Sequence, residues 1–340
     1  MKIDRKAGVN CPVITPKAPV TVKQCGNVIE VRYMATTPHP TIQKLDKDHY
    51  LDLLTGEVKD TNHKANRAAD PASVAHSLRN LRDIINTNLT NSDTALWVTL
   101  TYRDNMTDAQ RLYEDYRRFW QRFKYYLSKH RHTSAEYIIA AEPQGRGAWH
   151  LHAMFLFPDN APFIPNADIA QLWGHGFTKT KSLNGIDNPG LYLTAYLGDM
   201  ELTEAIAAGK IGEGRLTESK NGEKAVIKGA RLKMYPVGMN LYRCSRGVKK
   251  PEIYQMTEEN AQEIVRNSLL VYERTLAVTD ATGRVANTIN YRQYNTVRKD
   301  LHPESIAEGN AGTDFATPEN PMPPQRHTAD NAKQNGGEAE

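Results

Sequence analysis

The sequence predicts an α+β protein whose main domain is ferredoxin-like, with an antiparallel sheet of about five strands and helices on one or both faces. The order of predicted elements between residues 95 and 200 is the first evidence: strand, helix, strand, strand, helix, strand. This is the split βαβ arrangement. Composition is the second, because 340 residues with 39% apolar and 24% charged content fit one sizeable core with appended segments.

Four runs rich in β-branched and aromatic residues predict the strands. They are 95–102 (ALWVTLTY), 136–142 (EYIIAAE), 149–157 (WHLHAMFLF) and 176–183 (GFTKTKSL). Between the first two, Thr107 and Gln110 form a capping-box pattern, which predicts a helix that continues to about residue 130. A short helix over 168–173 is predicted between the last two.

Three further helices are predicted around this core. One begins at Ser73 as N-cap, after a polar linker over 55–70. Another covers 188–200, where Asn188 and then Pro189 provide the N-cap and first helical position. A third covers 257–273 and leads into a hairpin around 280–284.

Composition argues against several classes of protein. Three cysteines (Cys11, Cys25 and Cys244) are too few for a disulfide framework, and their spacing fits no four-ligand zinc site. No apolar run approaches the ~20 residues of a membrane helix, and the N-terminal residues lack the apolar stretch of a secretory signal. We therefore expect a cytoplasmic protein with no membrane partner.

Charge is unevenly distributed along the chain. The stretch 302–340 carries seven acids and two bases and few large apolar residues, which is typical of a disordered tail. The stretch 209–250 carries eleven Lys or Arg and three Glu, a local charge of +8. Such a concentration indicates either a phosphate-rich partner or a solvated basic loop.

Two histidines are predicted to share one face of the third strand. His150 and His152 flank Leu151, and side chains alternate between faces in a strand, so both imidazoles point the same way. Glu142 ends the strand before, and a tight turn pairs the two strands. Two imidazoles and a carboxylate suit Mn²⁺ or Mg²⁺ as well as other transition metals. The alternative for Glu142 is an exposed acid at a strand end.

A tyrosine pair has both a functional and an ordinary interpretation, whereas a second histidine pair has only an ordinary one. Tyr192 and Tyr196 lie four residues apart, on one face of the predicted helix. They are either core residues or a pair of nucleophiles that attack a phosphate near the metal. A second histidine pair, His130 and His132, lies at a helix end, where we expect it to be solvated.

These patterns resemble the three motifs of HUH endonucleases, specifically the rolling-circle replication initiators (Rep proteins) of small bacterial plasmids and phages. Residues 97–102 (WVTLTY) resemble the first motif, 142–155 (EPQGRGAWHLHAMF) the second and 192–199 (YLTAYLGD) the third. The resemblance covers about 95–200. Less specifically, 231–251 resembles the segment that follows the third motif in such initiators.

The resemblance implies a site-specific nick in single-stranded or cruciform origin DNA. Tyr196 aligns with the main nucleophile, which becomes linked to the 5′-phosphate, and Tyr192 aligns with the second tyrosine of two-tyrosine enzymes. A divalent metal, Mn²⁺ or Mg²⁺, would be held by His150, His152 and Glu142. One departure is Ala195, where the family commonly has Lys.

The resemblance also implies partners and a cellular location. Because the chain has no G-x-x-x-x-G-K-[ST] loop, we expect a separate host helicase to separate the strands. The location would be the cytoplasm of a bacterial cell or an infected bacterial host. The predicted organisation is an N-terminal extension (1–72), an HUH endonuclease domain (73–255), a C-terminal helix and hairpin (256–300) and a disordered acidic tail (301–340).

DNA contacts should be made mainly to phosphates. Arg79 and Arg82 are candidates on the first helix, and Trp149 or Trp173 could stack on a base. The set that we predict to bind DNA consists of basic residues near the second motif and after the third: Arg146, Arg231, Lys233, Arg243, Arg246, Lys249 and Lys250.

Two rival functions remain at this stage. A relaxase or transposase would use the same chemistry, although relaxases often carry the nucleophile near the N-terminus, before the histidines. A non-catalytic origin-binding protein would share the fold and lack the reaction, and the missing lysine at Ala195 is the best support for it.

Overall fold

The computed structural model describes most of the chain up to residue 298. The described residues are 12–37, 39–62, 69–70, 72–181, 183, 188–190, 194, 197, 231–236, 238–280 and 282–298, together with the backbone of 4–7, 71, 200–201, 215–218, 225–228 and 230. Tyr192, Tyr196 and the acidic tail predicted for 301–340 lie outside them.

The strands are arranged in four antiparallel sheets. In chain order they are β1 (Asp4–Ala7), β2 (Pro19–Cys25), β3 (Val28–Met34), β4 (Ile42–Lys44), β5 (His49–Asp52), β6 (Val58–Asp60), β7 (Ala95–Thr101), β8 (Glu136–Pro143), β9 (Trp149–Leu156), β10 (Thr178–Lys181), β11 (Met200–Glu201), β12 (Arg215–Glu218), β13 (Ala225–Lys228), β14 (Tyr242–Cys244), β15 (Glu252–Thr257), β16 (Leu269–Thr279) and β17 (Val285–Asn295).

The described part of the chain also forms several longer helices. They are α1 (Pro71–Asn88), α2 (Ala109–Tyr126), α3 (Asn166–Trp173) and α4 (Glu258–Val265). A π-helical turn, Leu127–Arg131, continues α2, so the predicted helix end near residue 130 is confirmed. No helix within the described part of the chain is both long and apolar enough to cross a membrane.

Carboxylates, rather than hydroxyls, cap the first two helices, so the caps predicted at Ser73 and Thr107 are wrong. The Asp70 carboxylate accepts a hydrogen bond from the backbone N–H of Ser73 at 3.0 Å. Asp108 does the same for the N–H of Gln110 at 2.8 Å. A carboxylate both accepts these bonds and interacts favourably with the positive end of the helix dipole.

The central sheet has the ferredoxin-like order that the sequence predicts. Its five strands run β10-β7-β9-β8-β14. With α2 between β7 and β8, and α3 between β9 and β10, the first four strands reproduce the split βαβ pattern. The α+β class and the five-stranded antiparallel sheet are therefore confirmed. β14 extends the sheet by pairing with β8.

The two faces of this sheet carry different residues, and only one of them packs against α2. One face packs against α2: Phe155 of β9 lies 4.6 Å from Phe123 and 6.0 Å from Trp120, measured between ring centroids. Phe119 and Phe123 are fully buried there. Because successive residues alternate between faces, the neighbours of Phe155 at even positions, including His152, lie on the opposite face.

Helix α1 covers part of that opposite face. Tyr242 of β14 pairs with Ala140 of β8, which in turn pairs with His152, so all three side chains share one side of the sheet. Burial raises the pKa of Tyr242, and the nearby carboxylate of Asp83 on α1 raises it further. The apolar side of α1 belongs to the same hydrophobic core as the sheet.

The two ends of the described chain meet in a second sheet, which the sequence did not indicate. Its six strands run β1-β16-β17-β3-β2-β15, and α4 packs on it through Ala261 and Val265. The hairpin around 280–284 is confirmed by β16 and β17. The helix expected over 257–273 is wrong in length, because it ends at Val265 and the strand β16 begins at Leu269.

Residues 37–62 contain a small three-stranded sheet, β4-β5-β6, in a compact unit of their own. Val58 of β6 pairs with Leu51 of β5, and Lys59 forms an ion pair with Asp52 at 2.7 Å. The polar linker predicted for 55–70 is therefore wrong over Val58–Asp60. Polarity misled the prediction, because a small exposed sheet needs few apolar residues.

Four charged side chains join the second sheet to α1. Lys23 of β2 lies 2.5 Å from both Glu30 and Asp83, and Arg82 contacts the same two carboxylates. Burial would raise the pKa of Glu30, but the charges of Arg82 and Lys23 lower it to about 2. The proposed DNA contact through Arg82 is therefore wrong, since this guanidinium is occupied within the fold.

A buried ion pair between α4 and β17 provides a stability test. The guanidinium of Arg292 contacts both carboxylate oxygens of Glu258, at 2.5 and 2.6 Å. Arg292→Met should destabilise the protein by roughly 3–5 kcal/mol, because it leaves a buried carboxylate uncompensated. Urea denaturation measures this change. The double variant E258Q/R292M, which removes both charges, should lose less; an equal or larger loss would contradict the argument.

The same pair predicts a pH dependence. Burial raises the pKa of Glu258, but the hydrogen bonds from Arg292 and Gln262 and the charge of Arg292 together lower it below its ordinary value. Because the folded pKa lies below the unfolded value of ~4.3, this contribution is present above that pH and is lost as the pH falls further. The stability difference between the wild type and E258Q/R292M should shrink on acidification.

Candidate functional site

The histidine pair lies at one end of the central sheet, on the face away from α2. The strand register sets Glu142 of β8 and Thr101 of β7 on either side of His150. It sets Thr99 beside His152. Cross-strand partners project from the same face, so these polar side chains form one row of groups across three strands.

His152 is held in place on three sides. Its Nε2 contacts the carboxylate of Glu142, and its Nδ1 lies 3.4 Å from the hydroxyl of Thr99. The indole of Trp97 stacks on the imidazole, with ring centroids 5.3 Å apart and planes 11° from parallel. In the tautomer that satisfies both polar contacts, Nε2 donates to Glu142 and Nδ1 accepts from Thr99. The ring orientation is therefore set by its neighbours.

Glu142 is a buried, ionised carboxylate. Its second oxygen lies 2.9 Å from Nη2 of Arg231, and Arg231 also donates to the carbonyl of Pro143 at 2.9 Å. Burial would raise the pKa of Glu142, but the hydrogen bond with His152 and the charges of His152 and Arg231 lower it. The exposed strand-end acid that remained an alternative is therefore wrong.

His150 is neutral over the physiological range. Burial lowers its pKa to about 4, against the opposing effect of the Glu142 charge. The nearby side chains of His152, Arg231 and Arg146 lower it as well. A neutral imidazole retains the lone pair that a metal requires.

The imidazole nitrogens and the carboxylate oxygens suit a divalent ion. However, only two of the three side chains contact each other, and the three do not form a preformed metal site. His152 and Glu142 touch, while His150 faces Glu142 across the two strands. In the portion of the chain that the structure describes, no three His, Cys, Asp or Glu side chains form a group that could hold a metal. An ion between His152 and Glu142 would take the place of the proton they share, and the neutral His150 lies on the same face.

The helix predicted over 188–200 is confirmed at four described positions, but its predicted end is wrong, because Met200 already lies in the strand β11. Pro189, Gly190, Thr194 and Leu197 are helical, and the Thr194 hydroxyl donates to the carbonyl of Gly190 at 2.8 Å. Thr194 and Leu197 are buried. The two tyrosines of the third motif lie outside the described residues, so their role stays a prediction.

This segment packs closely against α1. The amide of Asn86 accepts from the backbone N–H of Gly190 at 2.8 Å and donates to Asn188 at 2.9 Å. A Cβ at position 190 would lie 2.3 Å from the carbonyl oxygen of Arg82. Only glycine permits this approach of the two backbones.

Tyr235 joins the same segment to the strand that carries Glu142. Its hydroxyl lies 2.7 Å from the carbonyl oxygen of Ala141 and 3.1 Å from that of Leu197. Tyr235 is fully buried, so its hydroxyl has to be satisfied inside the protein. Ala141 precedes Glu142 in the chain, and Leu197 therefore lies near the candidate site.

The basic residues predicted to bind DNA occupy different places. Arg231 is buried against Glu142, so it supports the site and does not project as an exposed phosphate contact. The guanidinium of Arg243 lies over Tyr113 on the α2 side of the sheet, 3.5 Å from the ring centroid. Like Arg243, five further residues have exposed side chains: Arg146, Lys233, Arg246, Lys249 and Lys250.

These basic residues also lie at opposite ends of β8. Arg146 lies in the turn between β8 and β9, where its backbone carbonyl accepts from Asn105, close to His150. Arg246 and Lys249 follow β14 at the opposite end of β8, where the N–H of Gly247 donates to Glu136. Six residues of strand, at ~3.3 Å each, separate this end from Glu142 by roughly 20 Å.

The aromatic predictions are wrong. Trp149 and Trp173 are buried, and their indole N–H groups donate to the carbonyls of Thr107 and Thr101. Neither ring can stack on a base. The second histidine pair is exposed at the end of the π-helical turn, as expected for solvated side chains.

Sequence reasoning missed the residues that support the site. Thr99 and Trp97 alternate with apolar residues in the first strand, and this period of two could have placed them on the histidine face once the pairing of β7 with β9 was known. Arg231 and Tyr235 carry no such signal, because they come from a separate part of the chain.

Comparison with known protein families places part of the chain beside replication proteins. Residues 95–201 match the family model for the replication-associated protein ORF2. This match supports a replication initiator family. It spans β7 to β11 and therefore includes both histidines and Glu142. No curated protein and no solved structure matches the chain.

The packing of Gly190 predicts a sensitive position. Gly190→Ala should destabilise the protein by about 1–3 kcal/mol, because the added methyl group meets the backbone of α1, which cannot move aside locally. Urea denaturation gives the value. Gly247→Ala is the matched control, since its methyl group would meet only the flexible side chain of Glu136. Equal stability of the two variants would contradict the close approach.

Proposed function

We propose that the protein initiates rolling-circle DNA replication by nicking and rejoining single-stranded origin DNA. The observation that carries this proposal is the joint position of His150, His152 and Glu142 on one sheet face, within the stretch that matches the replication-associated family model. Two imidazoles and a carboxylate on one sheet face, within a stretch that matches the replication-associated family model, favour strand cleavage over binding alone.

In this proposal the phenolic oxygen of Tyr196 attacks the scissile phosphorus. A bond forms between that oxygen and phosphorus, and the bond from phosphorus to the 3′ oxygen breaks. The phenolic proton ends, through solvent or a neighbouring group, on the released 3′ hydroxyl. The 5′-phosphotyrosine keeps the phosphodiester energy, so attack by a 3′ hydroxyl reverses the step and rejoins the strand.

Tyr192 would serve as a second nucleophile. Two tyrosines one helical turn apart can alternate as the attached residue, so that a new strand is cut before the old one is released. The anchoring of Leu197 through Tyr235 to Ala141 supports this proposal, because it ties the tyrosine segment to the strand of Glu142.

Divalent Mn²⁺ or Mg²⁺, when bound, would neutralise charge on the phosphate and stabilise the leaving oxygen. His150, His152 and Glu142 would hold it. Arg231 keeps Glu142 ionised and oriented, and Thr99 and Trp97 orient His152. Such supporting contacts typically change metal affinity by ~10–100-fold.

Rival functions differ in measurable products. A relaxase or transposase would form the same adduct but on a transfer origin or a transposon end. A non-catalytic origin-binding protein would shift DNA mobility without leaving a denaturant-resistant complex. The buried, ionised state of Glu142 favours the enzymes, since a protein that only binds DNA has no use for a carboxylate held next to two imidazoles.

Covalent attachment gives the direct test. With Mn²⁺ and a labelled single-stranded origin oligonucleotide, the wild type should form an adduct that survives denaturing electrophoresis. Tyr196→Phe should abolish the adduct and keep DNA binding, because only the nucleophilic oxygen is removed. Mass spectrometry of the wild-type adduct locates the modified tyrosine. An adduct from Y196F, and none from Y192F, would reverse the order of the two residues.

Metal binding can be measured without DNA. His150→Ala or His152→Ala should weaken Mn²⁺ binding by more than the ~10–100-fold of supporting contacts, as measured by titration calorimetry or electron paramagnetic resonance. The double variant H130A/H132A is the matched control, since it removes a histidine pair of the same spacing from an exposed site. Loss of Mn²⁺ binding in the control, with retention in H152A, would refute the site.

A further inference from the structure

The edge strand β10 presents an exposed row beside the histidine pair. The N–H of Thr101 donates to the carbonyl of Phe177 at 3.0 Å, and Lys179 pairs with Thr99. Since Thr101 pairs with His150 and Thr99 pairs with His152, Phe177 and Lys179 are level with the two histidines. Lys181 follows in the same row.

The row faces the same side of the sheet as the site. Cross-strand partners share a face, so Phe177, Lys179 and Lys181 project on the side of His150 and His152. Two strand spacings of ~4.8 Å place the row roughly 10 Å from the histidines. Alternate residues along a strand are ~6.6 Å apart, which is comparable with the repeat of an extended nucleotide.

These three side chains are exposed and lack internal partners. The ring of Phe177 is 66% exposed, although it is large and apolar. Within the described chain, neither lysine forms an ion pair or hydrogen bond, and Phe177 contacts no other aromatic ring. Between them, Thr178 is buried and its hydroxyl is hydrogen-bonded to Asn166. The strand is therefore fixed through its buried face, while Phe177, Lys179 and Lys181 project from the exposed face.

We propose that Phe177, Lys179 and Lys181 form a track that binds single-stranded DNA, with a base stacked on Phe177 and phosphates bound by the two lysines. The proposal rests on the proposed function, because it assigns the path of the strand next to the site. Stacking on an aromatic ring requires an unpaired base, and lysines spaced along a strand follow a phosphate backbone. The partner is therefore a single strand and not a duplex.

The experiment uses the full chain and a fluorescein-labelled single-stranded DNA oligonucleotide, followed by fluorescence anisotropy at several salt concentrations. Phe177→Ala should weaken binding roughly five- to a hundredfold, and Phe177→Trp should restore it. Phe177→Leu keeps an apolar side chain without a ring, so it should behave like Phe177→Ala.

The lysines are tested by the salt dependence. The double variant K179A/K181A should reduce the slope of log affinity against log salt by about 1.4, which is ~0.7 for each phosphate of a single strand that is no longer neutralised. The control is K124A/K129A, which removes two exposed lysines from α2 and its continuation. It should bind as the wild type does. Circular dichroism checks that each variant is folded.

The outcomes separate this inference from the proposed function. Wild-type binding that is unchanged in the β10 variants overturns the track, even where the wild type forms the covalent adduct. Loss of binding in the β10 variants supports the track even where no adduct forms and the nicking activity fails. Equal weakening on a duplex of the same sequence overturns the assignment to a single strand, and equal weakening by the control pair overturns the assignment to β10.

Discussion

The candidate site depends on one buried carboxylate that is held from two sides. Glu142 contacts His152 on the neighbouring strand and Arg231 from a distant part of the chain. A buried charge is stable only with such partners. The pairing of β8 with β9 must therefore keep its register, since a slip by one residue would turn Glu142 to the α2 face and break both contacts.

The division of the sheet into two faces makes this arrangement compatible with a stable core. Aromatic rings of α2 and β9 fill one face, where Phe119 and Phe123 are fully buried. The other face combines apolar packing against α1 with a polar end around His150. The proposed chemistry is thus confined to one end of one face, while the opposite face is used for packing alone.

The second sheet contains strands from both ends of the described chain, and its contacts with α1 connect it to the region of the site. Lys23 and Glu30 bind α1 through Arg82 and Asp83, and one turn away Asn86 holds the segment that begins at Asn188. Contacts thus continue from the second sheet through α1 to the region next to the proposed nucleophiles.

Local patterns in the sequence were enough for the strands β7 to β10, for the helix between β7 and β8, and for the shared face of His150 and His152. Each of these follows from periodicity or alternation within a short stretch. The caps of α1 and α2 and the length of α4 were predicted wrongly. Several residues compete for a cap, and the residues from Leu269 onward gain more by pairing with β17 than by extending a helix.

Only the tertiary structure decided what surrounds the site. Trp97 reaches it from β7, and Arg231 and Tyr235 reach it from a segment more than 100 residues later. Whether a basic or aromatic residue is buried or exposed depends on partners that are distant in sequence. For the same reason Trp173 is buried while Phe177, four residues later, is exposed. Side-chain alternation is a local property of the backbone, whereas burial results from the packing of elements against one another.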